Sequence, residues 1–62
     1  MITEHDIRNI DKILYDGYGD WFTAHLLRLI SHADHDNLTL LGQVYPAEVR
    51  AVTVHLMRSG EY

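Results

Sequence analysis

The stretch DWFTAHLLRLISHA, residues 20–33, decides the fold of this chain. Asp20 is a residue type that caps helices, and apolar side chains with helical periodicity follow it. At 100° per residue these side chains fall within an arc of about 100°, with Leu27 just beyond it. The members of this predicted core face are Phe22, Leu26, Leu29, Ile30 and Ala33. The stretch therefore predicts an amphipathic helix so apolar that a chain of 62 residues can scarcely cover it.

Four other side chains follow the opposite side of this predicted helix, at spacings of four, three and four residues: Trp21, His25, Arg28 and His32. Residues at these spacings stack along one helix face. Because Trp and Arg are enriched at interface hot spots, one interpretation is a partner-binding surface that Trp21 anchors. The other interpretation is that Trp21 folds back over the first helix while His25 and Arg28 only face solvent. The sequence leaves both open.

Capping signals predict a first helix on the N-terminal side of this stretch. Thr3 and Asp6 have the spacing of a capping box, so the helix begins near Glu4. Gly17 suits the left-handed residue that ends a helix, and residues 16–20 supply a chain reversal. The first two helices therefore form a predicted antiparallel hairpin. The predicted core stripe of the first helix is Ile7, Ile10, Ile13 and Leu14.

Two shorter signals predict the remaining helices. A third helix is predicted over residues 37–41, capped by Asp34 or Asp36 and closed by Gly42. Pro46 suits the first position of a fourth helix, which runs to Arg58. Its predicted core stripe is Val49, Val52 and Leu56, with Ala51 and Val54 facing outward. The fold class is therefore all-α: a small three- to four-helix bundle built on the hairpin, with residues 1–62 in a single domain.

Composition restricts the partners of this chain. Nine acidic residues against five Lys and Arg give a net charge of −4, and the basic residues form no cluster, which disfavours nucleic-acid binding. No segment resembles a signal peptide or a membrane span, so we expect no membrane association and a cytoplasmic location. Without cysteine there is no disulfide or thiolate zinc site. Without disulfides, burial of apolar surface between copies of the chain is another way to stabilise so small a core, and we expect a homo-oligomer, such as a dimer.

No residue pattern predicts catalysis or a cofactor. The only candidate metal ligands that crowd together are His32, Asp34, His35 and Asp36. Their spacing is better explained by an interhelix connection in which an Asp caps the next helix, so we predict no metal site. Ser31 and Ser59 lie beside no recognisable base, and the chain is too short for a dry cleft, so we do not expect an enzyme.

The pattern DWFxAxLLRLI at residues 20–30, with Ala33-Asp34, Asn37 and the YPxEVxA pattern at residues 45–51, resembles short proteins of phages of actinobacteria and of their hosts. The resemblance covers about half of the chain. Those proteins tend to carry Lys before the Ala-Asp pair and Phe before the proline, where this chain has His32 and Tyr45. The resemblance implies a phage origin and a small accessory role in the bacterial host, with no catalytic activity.

These observations predict a protein-interaction module that binds another protein, for example a host factor. An alternative is a nucleic-acid or transcription accessory factor in which the last two helices form a helix-turn-helix variant, although the acidic charge opposes it. A third possibility is a purely structural subunit of a virion.

Overall fold

Five α-helices make up the fold of residues 1–60, the part of the chain that this computed structural model describes, and no strand occurs in that range. The helices are α1 (Glu4–Arg8), α2 (Ile10–Tyr15), α3 (Phe22–His32), α4 (His35–Val44) and α5 (Pro46–Arg58). Helix α5 packs against both α3 and α4, and α2 packs against α3, whereas α3 and α4 contact each other little. The predicted all-α bundle is confirmed, with five helices because the first predicted helix is interrupted.

The N-terminal helix begins where the capping box predicts. The Thr3 hydroxyl accepts a hydrogen bond from the Asp6 backbone N–H (3.2 Å), and the Asp6 carboxylate accepts one from the Thr3 N–H (2.8 Å). Helical geometry fails at Asn9 (φ −108°, ψ 18°), whose side-chain amide donates to the carbonyl of His5 (2.9 Å). The predicted stripe is therefore interrupted too: Ile10 and Ile13 are buried, but the prediction for Ile7 is wrong, since it is 55% exposed.

Helix α3 presents a different face to the core from the predicted one. Its buried residues are Thr23, Ala24, Leu26, Leu27 and Ile30. Leu26 and Ile30 are confirmed as core, whereas Phe22 and Leu29 are 63% and 57% exposed, so that part of the prediction is wrong. At 100° per residue the buried face is rotated by roughly 90° from the predicted arc. The helix is apolar on more than one side, and contacts with α2 and α5 decide which side is covered.

The start of α3 also differs from prediction by one residue. The N-cap is Trp21 (φ −86°, ψ 166°), not Asp20, and no side chain caps the helix. The Trp21 carbonyl accepts the first helical hydrogen bond, from the N–H of His25 (3.2 Å). Gly17 and Gly19 both have positive φ, 69° and 96°, and make the turn that brings the chain to this point.

Helix α4 is longer than the predicted third helix. Its N-cap is Asp34, one of the two residues predicted for this role, and the Asp34 side chain accepts a hydrogen bond from the Asn37 N–H (2.8 Å). The predicted end at Gly42 is wrong, because the helix continues through Gly42 to Val44. Only Tyr45 then separates α4 from α5. None of the helices in residues 1–60 is long and apolar enough to cross a membrane.

Helix α5 has the predicted bounds, with Pro46 at its first position. Val52 and Leu56 are buried and Val49 is partly buried against the core, as predicted. The prediction that Ala51 faces outward holds only in part, because Ala51 is partly buried: it packs against the core and also lines a surface groove. Burial on this side includes Glu48, which is 4% exposed and lies 3.9 Å from the α-amino group of Met1.

Candidate protein-interaction surfaces

Trp21 is held by contacts within the molecule. Its indole Nε1 donates a hydrogen bond to the Asp6 carboxylate (2.7 Å), which joins the start of α3 to α1. The indole also meets the ring of Tyr18 edge-on, with centroids 5.5 Å apart, and lies 5.4 Å from the ring of His5. Trp21 is partly buried against the core. This position matches the interpretation in which Trp21 folds back over the first helix.

Gly19 lies directly beneath the Trp21 ring. A Cβ atom at Gly19 would stand 2.4 Å from Cζ3 of Trp21, well inside van der Waals contact. The positive φ of Gly19 independently disfavours any other residue. The turn before α3 therefore leaves room for the Trp21 indole because residue 19 is glycine.

Asp6 is a buried carboxylate at the centre of these contacts, only 2% exposed. Burial on its own raises the pKa of Asp6, since it penalises the charged form. Hydrogen bonds from Thr3 and Trp21, with the nearby His5, outweigh burial and hold the pKa of Asp6 below its ordinary value. Asp6 therefore stays ionised and accepts hydrogen bonds from two separate parts of the chain.

The Arg28 guanidinium group donates hydrogen bonds to three backbone carbonyls. Its Nη1 donates to the carbonyls of Ile13 (3.1 Å) and Tyr18 (3.1 Å), and its Nη2 donates to that of Gly19 (2.7 Å). One guanidinium thus joins α3 to the last turn of α2 and to the following loop, a geometry that its planar fork of donors permits. Asp6, Gly19, Trp21 and Arg28 together form what we call the N-terminal cluster.

The two remaining residues of the predicted partner-binding set lie at the surface. Exposed His25 has Nε2 3.1 Å from the carbonyl oxygen of Asp20 and Nδ1 3.4 Å from Nη2 of Arg28. His32 is also exposed, but it borders a different surface, between α3 and α4. The structure therefore brings His25 together with Trp21 and Arg28 at the N-terminal cluster and places His32 apart from it. Partner binding by these four residues stays a prediction.

An apolar surface lies between α3 and α4, where the two helices diverge. Its large exposed side chains are Phe22 (63%), Leu29 (57%), Leu40 (59%) and Val44 (69%), which we call the α3–α4 face. A groove of about 570 Å³ runs along it, lined by residues of both helices and by Tyr45. The Tyr45 ring lies 6.1 Å from that of Phe22 and so extends the apolar surface to the start of α3.

A second groove, of about 520 Å³, lies between the N-terminal helices and α5. The residues of α5 in its wall recur at intervals of three and four and so form one helix face. The members that matter here, which define the α1–α5 groove, are Ile7, Ala47, Arg50, Ala51, Val54 and Arg58. This groove has an apolar wall with two exposed guanidinium groups on it.

His55 borders the α1–α5 groove and is already paired. Its Nε2 lies 2.7 Å from Oδ1 of Asp11, although the direction is not that of a hydrogen bond. Its ring centroid lies 6.2 Å from that of Tyr15. His55 therefore lies against α2, and the Lys or Arg side chains that line the groove are Arg50 and Arg58.

The predicted connection between α3 and α4 separates the side chains that resembled metal ligands. Both carboxylate oxygens of Asp34 take part in capping, Oδ1 with the Asn37 N–H and Oδ2 with the Asn37 side-chain amide (3.2 Å). Residues 1–60 contain no group of three or more His, Asp or Glu side chains placed to hold a metal ion. His32 is the last residue of α3, Asp34 caps α4, and His35 and Asp36 form the first turn of α4, as expected for a connection between two helices.

Sequence reasoning missed the residues that define the α3–α4 face. The sequence pattern predicts Phe22 and Leu29 as core residues, and the predicted third helix ends before Val44. A usable signal was present, because Leu40 and Val44 are four residues apart and would align on one face of a longer helix. Gly42 obscured that signal, since glycine is depleted in helix interiors.

Comparison of the chain with protein-family models, curated proteins and solved structures finds no match.

Proposed function

We propose that this chain is a small protein-interaction module that works by binding other protein chains. The observation that carries the proposal is the α3–α4 face: Leu29, Leu40 and Val44, each more than half exposed, line one groove. Phe22, also more than half exposed, adjoins the groove through the ring of Tyr45. Contiguous exposed apolar surface of this kind is uncommon on small soluble monomers and marks sites of association. The role is that of an accessory protein in the bacterial cytoplasm, such as a phage protein that binds a host factor, in line with the resemblance in the sequence.

The first occupant of the α3–α4 face that we propose is a second copy of this chain. Two copies with a net charge of −4 each repel one another, so they associate best where few charges meet. Asp34 is the only Asp, Glu, Lys or Arg among the residues that line the groove, and its carboxylate already caps α4. A symmetric contact also covers the same apolar side chains on both copies at once.

Self-association is tested by light scattering coupled to size exclusion, with loading from about 10 µM to about 1 mM to span weak dimers. We expect the wild-type mass to rise toward twice 7.2 kDa with concentration. Leu40→Glu buries a charge in that contact and leaves a monomer. The matched control is Gln43→Glu, which adds a charge at an exposed position of the same helix that does not line the groove.

A wild-type chain that stays monomeric at the highest concentration would remove the α3–α4 face as a self-association surface. Equal loss of dimer in Gln43→Glu would show that added charge alone, and not the face, is responsible. The nucleic-acid alternative is tested on the same samples by mobility shift at low salt. Tight binding that weakens steeply with salt would replace the present proposal.

A further inference from the structure

We infer that the α1–α5 groove binds an acidic amphipathic helix of a partner protein. This inference rests on the proposed protein-binding function and names the class of partner. It depends on a surface separate from the α3–α4 face, so the two can fail independently.

The arginines of this chain differ in whether they have a partner within the molecule. Arg8 pairs with Glu4, and Arg28 donates to three backbone carbonyls. Within residues 1–60, Arg50 and Arg58 have no ion-pair or hydrogen-bond partner, although the chain has nine acidic residues. Two guanidinium groups that have no partner among residues 1–60 therefore line one groove of an acidic protein, and their positive charge favours an acidic partner at that place.

The wall of the α1–α5 groove is apolar along α5. Ala47 and Ala51, one turn apart, leave the α5 backbone accessible to close approach, and Val54 continues the apolar strip by about one further turn. Ile7, 55% exposed, forms the opposite side of the groove. An amphipathic helix laid in such a groove covers the apolar strip with its own apolar face.

The spacing of the arginines defines the charge pattern of the partner. Arg50 and Arg58 are eight residues apart, which is about 12 Å along the axis of α5. Carboxylates seven or eight residues apart on a helix that runs along the groove match this distance. A helix with both carboxylates beside an apolar face therefore satisfies the groove, because carboxylates pair with guanidinium groups in bidentate geometry.

A protein helix fits these features better than a nucleic acid does. A nucleic acid brings a continuous row of phosphates against a chain of net charge −4, and the apolar strip gives it nothing to contact. An amphipathic helix brings two carboxylates to the two arginines and an apolar face to the strip.

The test is a fluorescence-anisotropy titration of a labelled synthetic peptide of about 16 residues, long enough to span about 24 Å as a helix. It carries Leu at helical spacing and two Glu eight residues apart. The comparison peptides replace both Glu by Lys, or place the two Glu four residues apart. We expect the eight-residue spacing to bind best and the Lys peptide to lose at least about tenfold in affinity.

The protein variants are Arg50→Glu and Arg58→Glu, and each is expected to lower the affinity for the Glu peptide by about tenfold. The affinity of the wild-type protein should fall as the salt concentration rises. Lys12→Glu is the matched control, because it reverses a charge at an exposed position outside the groove and should leave affinity unchanged. Circular dichroism melting shows that each variant is folded. Leu40→Glu should bind the peptide like the wild type, so peptide binding and self-association are read separately.

The inference is overturned if the Lys peptide binds as tightly as the Glu peptide, or if neither arginine substitution weakens binding in a folded variant. It is also overturned if no peptide binds at about 1 mM. Retention of the chain on phosphatidylglycerol vesicles, with no binding of the Glu peptide, would assign the groove to anionic lipid instead.

Discussion

The two sides of α3 differ in whether their side chains are satisfied within the molecule. Toward the N terminus, the polar groups of Trp21 and Arg28 are paired with Asp6 and with three backbone carbonyls. Toward α4, Phe22 and Leu29 stand exposed beside Leu40 and Val44. We call the first side of α3 the closed side, because its hydrogen-bonding residues are paired within the molecule. We call the second the open side, because its apolar residues are exposed to solvent. Residue types that suggest an interface can therefore form contacts that stabilise the fold, while apolar residues that suggest a core can remain exposed and free to bind a partner.

The closed side is broken most severely at Gly19. Gly19→Ala should lower the free energy of unfolding by about 4 kcal/mol, because it adds backbone strain at positive φ and drives a Cβ into Trp21. Gly17→Ala is the matched control, since Gly17 also has positive φ but open space around it, and should cost only about 1 kcal/mol. Urea unfolding measures both. Equal losses would mean that the indole does not lie over Gly19.

The rotation of α3 is tested by two neighbouring leucines. Leu27→Ala should cost about 3 kcal/mol, because Leu27 is fully buried and its loss leaves a cavity. Leu29→Ala should cost less than about 1 kcal/mol in the monomer, since Leu29 is 57% exposed. Thermal melting at low concentration, below any dimerisation, makes the comparison. A larger loss at Leu29 would restore the face predicted from the sequence.

Asp6 gives the closed side a dependence on pH. Because the folded-state pKa of Asp6 is lowered, its ionised form contributes stability above the ordinary value of 3.8, and this contribution is lost as the pH falls through the folded pKa. Asp6→Asn should cost about 2 kcal/mol at pH 7 and flatten the fall in stability below about pH 4. Asp16→Asn, at an exposed turn position, should leave the acid transition unchanged. An unaltered transition in Asp6→Asn would contradict the role given to this carboxylate.

The smallest effect is expected at Gly42, on the open side. Gly42→Ala should stabilise the protein by about 1 kcal/mol, because Gly42 lies inside α4 and a Cβ there meets no atom within 4 Å. If Gly42 instead ended the helix in a left-handed conformation, as the sequence predicted, the same substitution would be destabilising. The sign of the change in melting temperature separates these two descriptions.

Local signals were sufficient wherever a few adjacent residues decide the structure. The Thr3–Asp6 capping box, the Asp34 cap and the Pro46 start of α5 each depend on hydrogen bonds or torsions within one turn, and all three were predicted. Tertiary contacts decided what could not be predicted. The face that α3 buries depends on which neighbours reach it, and the role of Arg28 depends on carbonyls 9 to 15 residues away.

The single residue between α4 and α5 makes the angular phase of the two helices interdependent. Tyr45 donates its N–H to the Leu41 carbonyl (2.7 Å) and accepts from the Val49 N–H (3.0 Å), so both helices share it as a terminal residue. One inserted residue at this junction would mean that Tyr45 could no longer end α4 and begin α5 at once, so the orientation of α4 relative to α5 would change. The positions of Leu40 and Val44 relative to α3 would change with it. The length of this junction, more than the identity of its residues, holds the apolar groove in register.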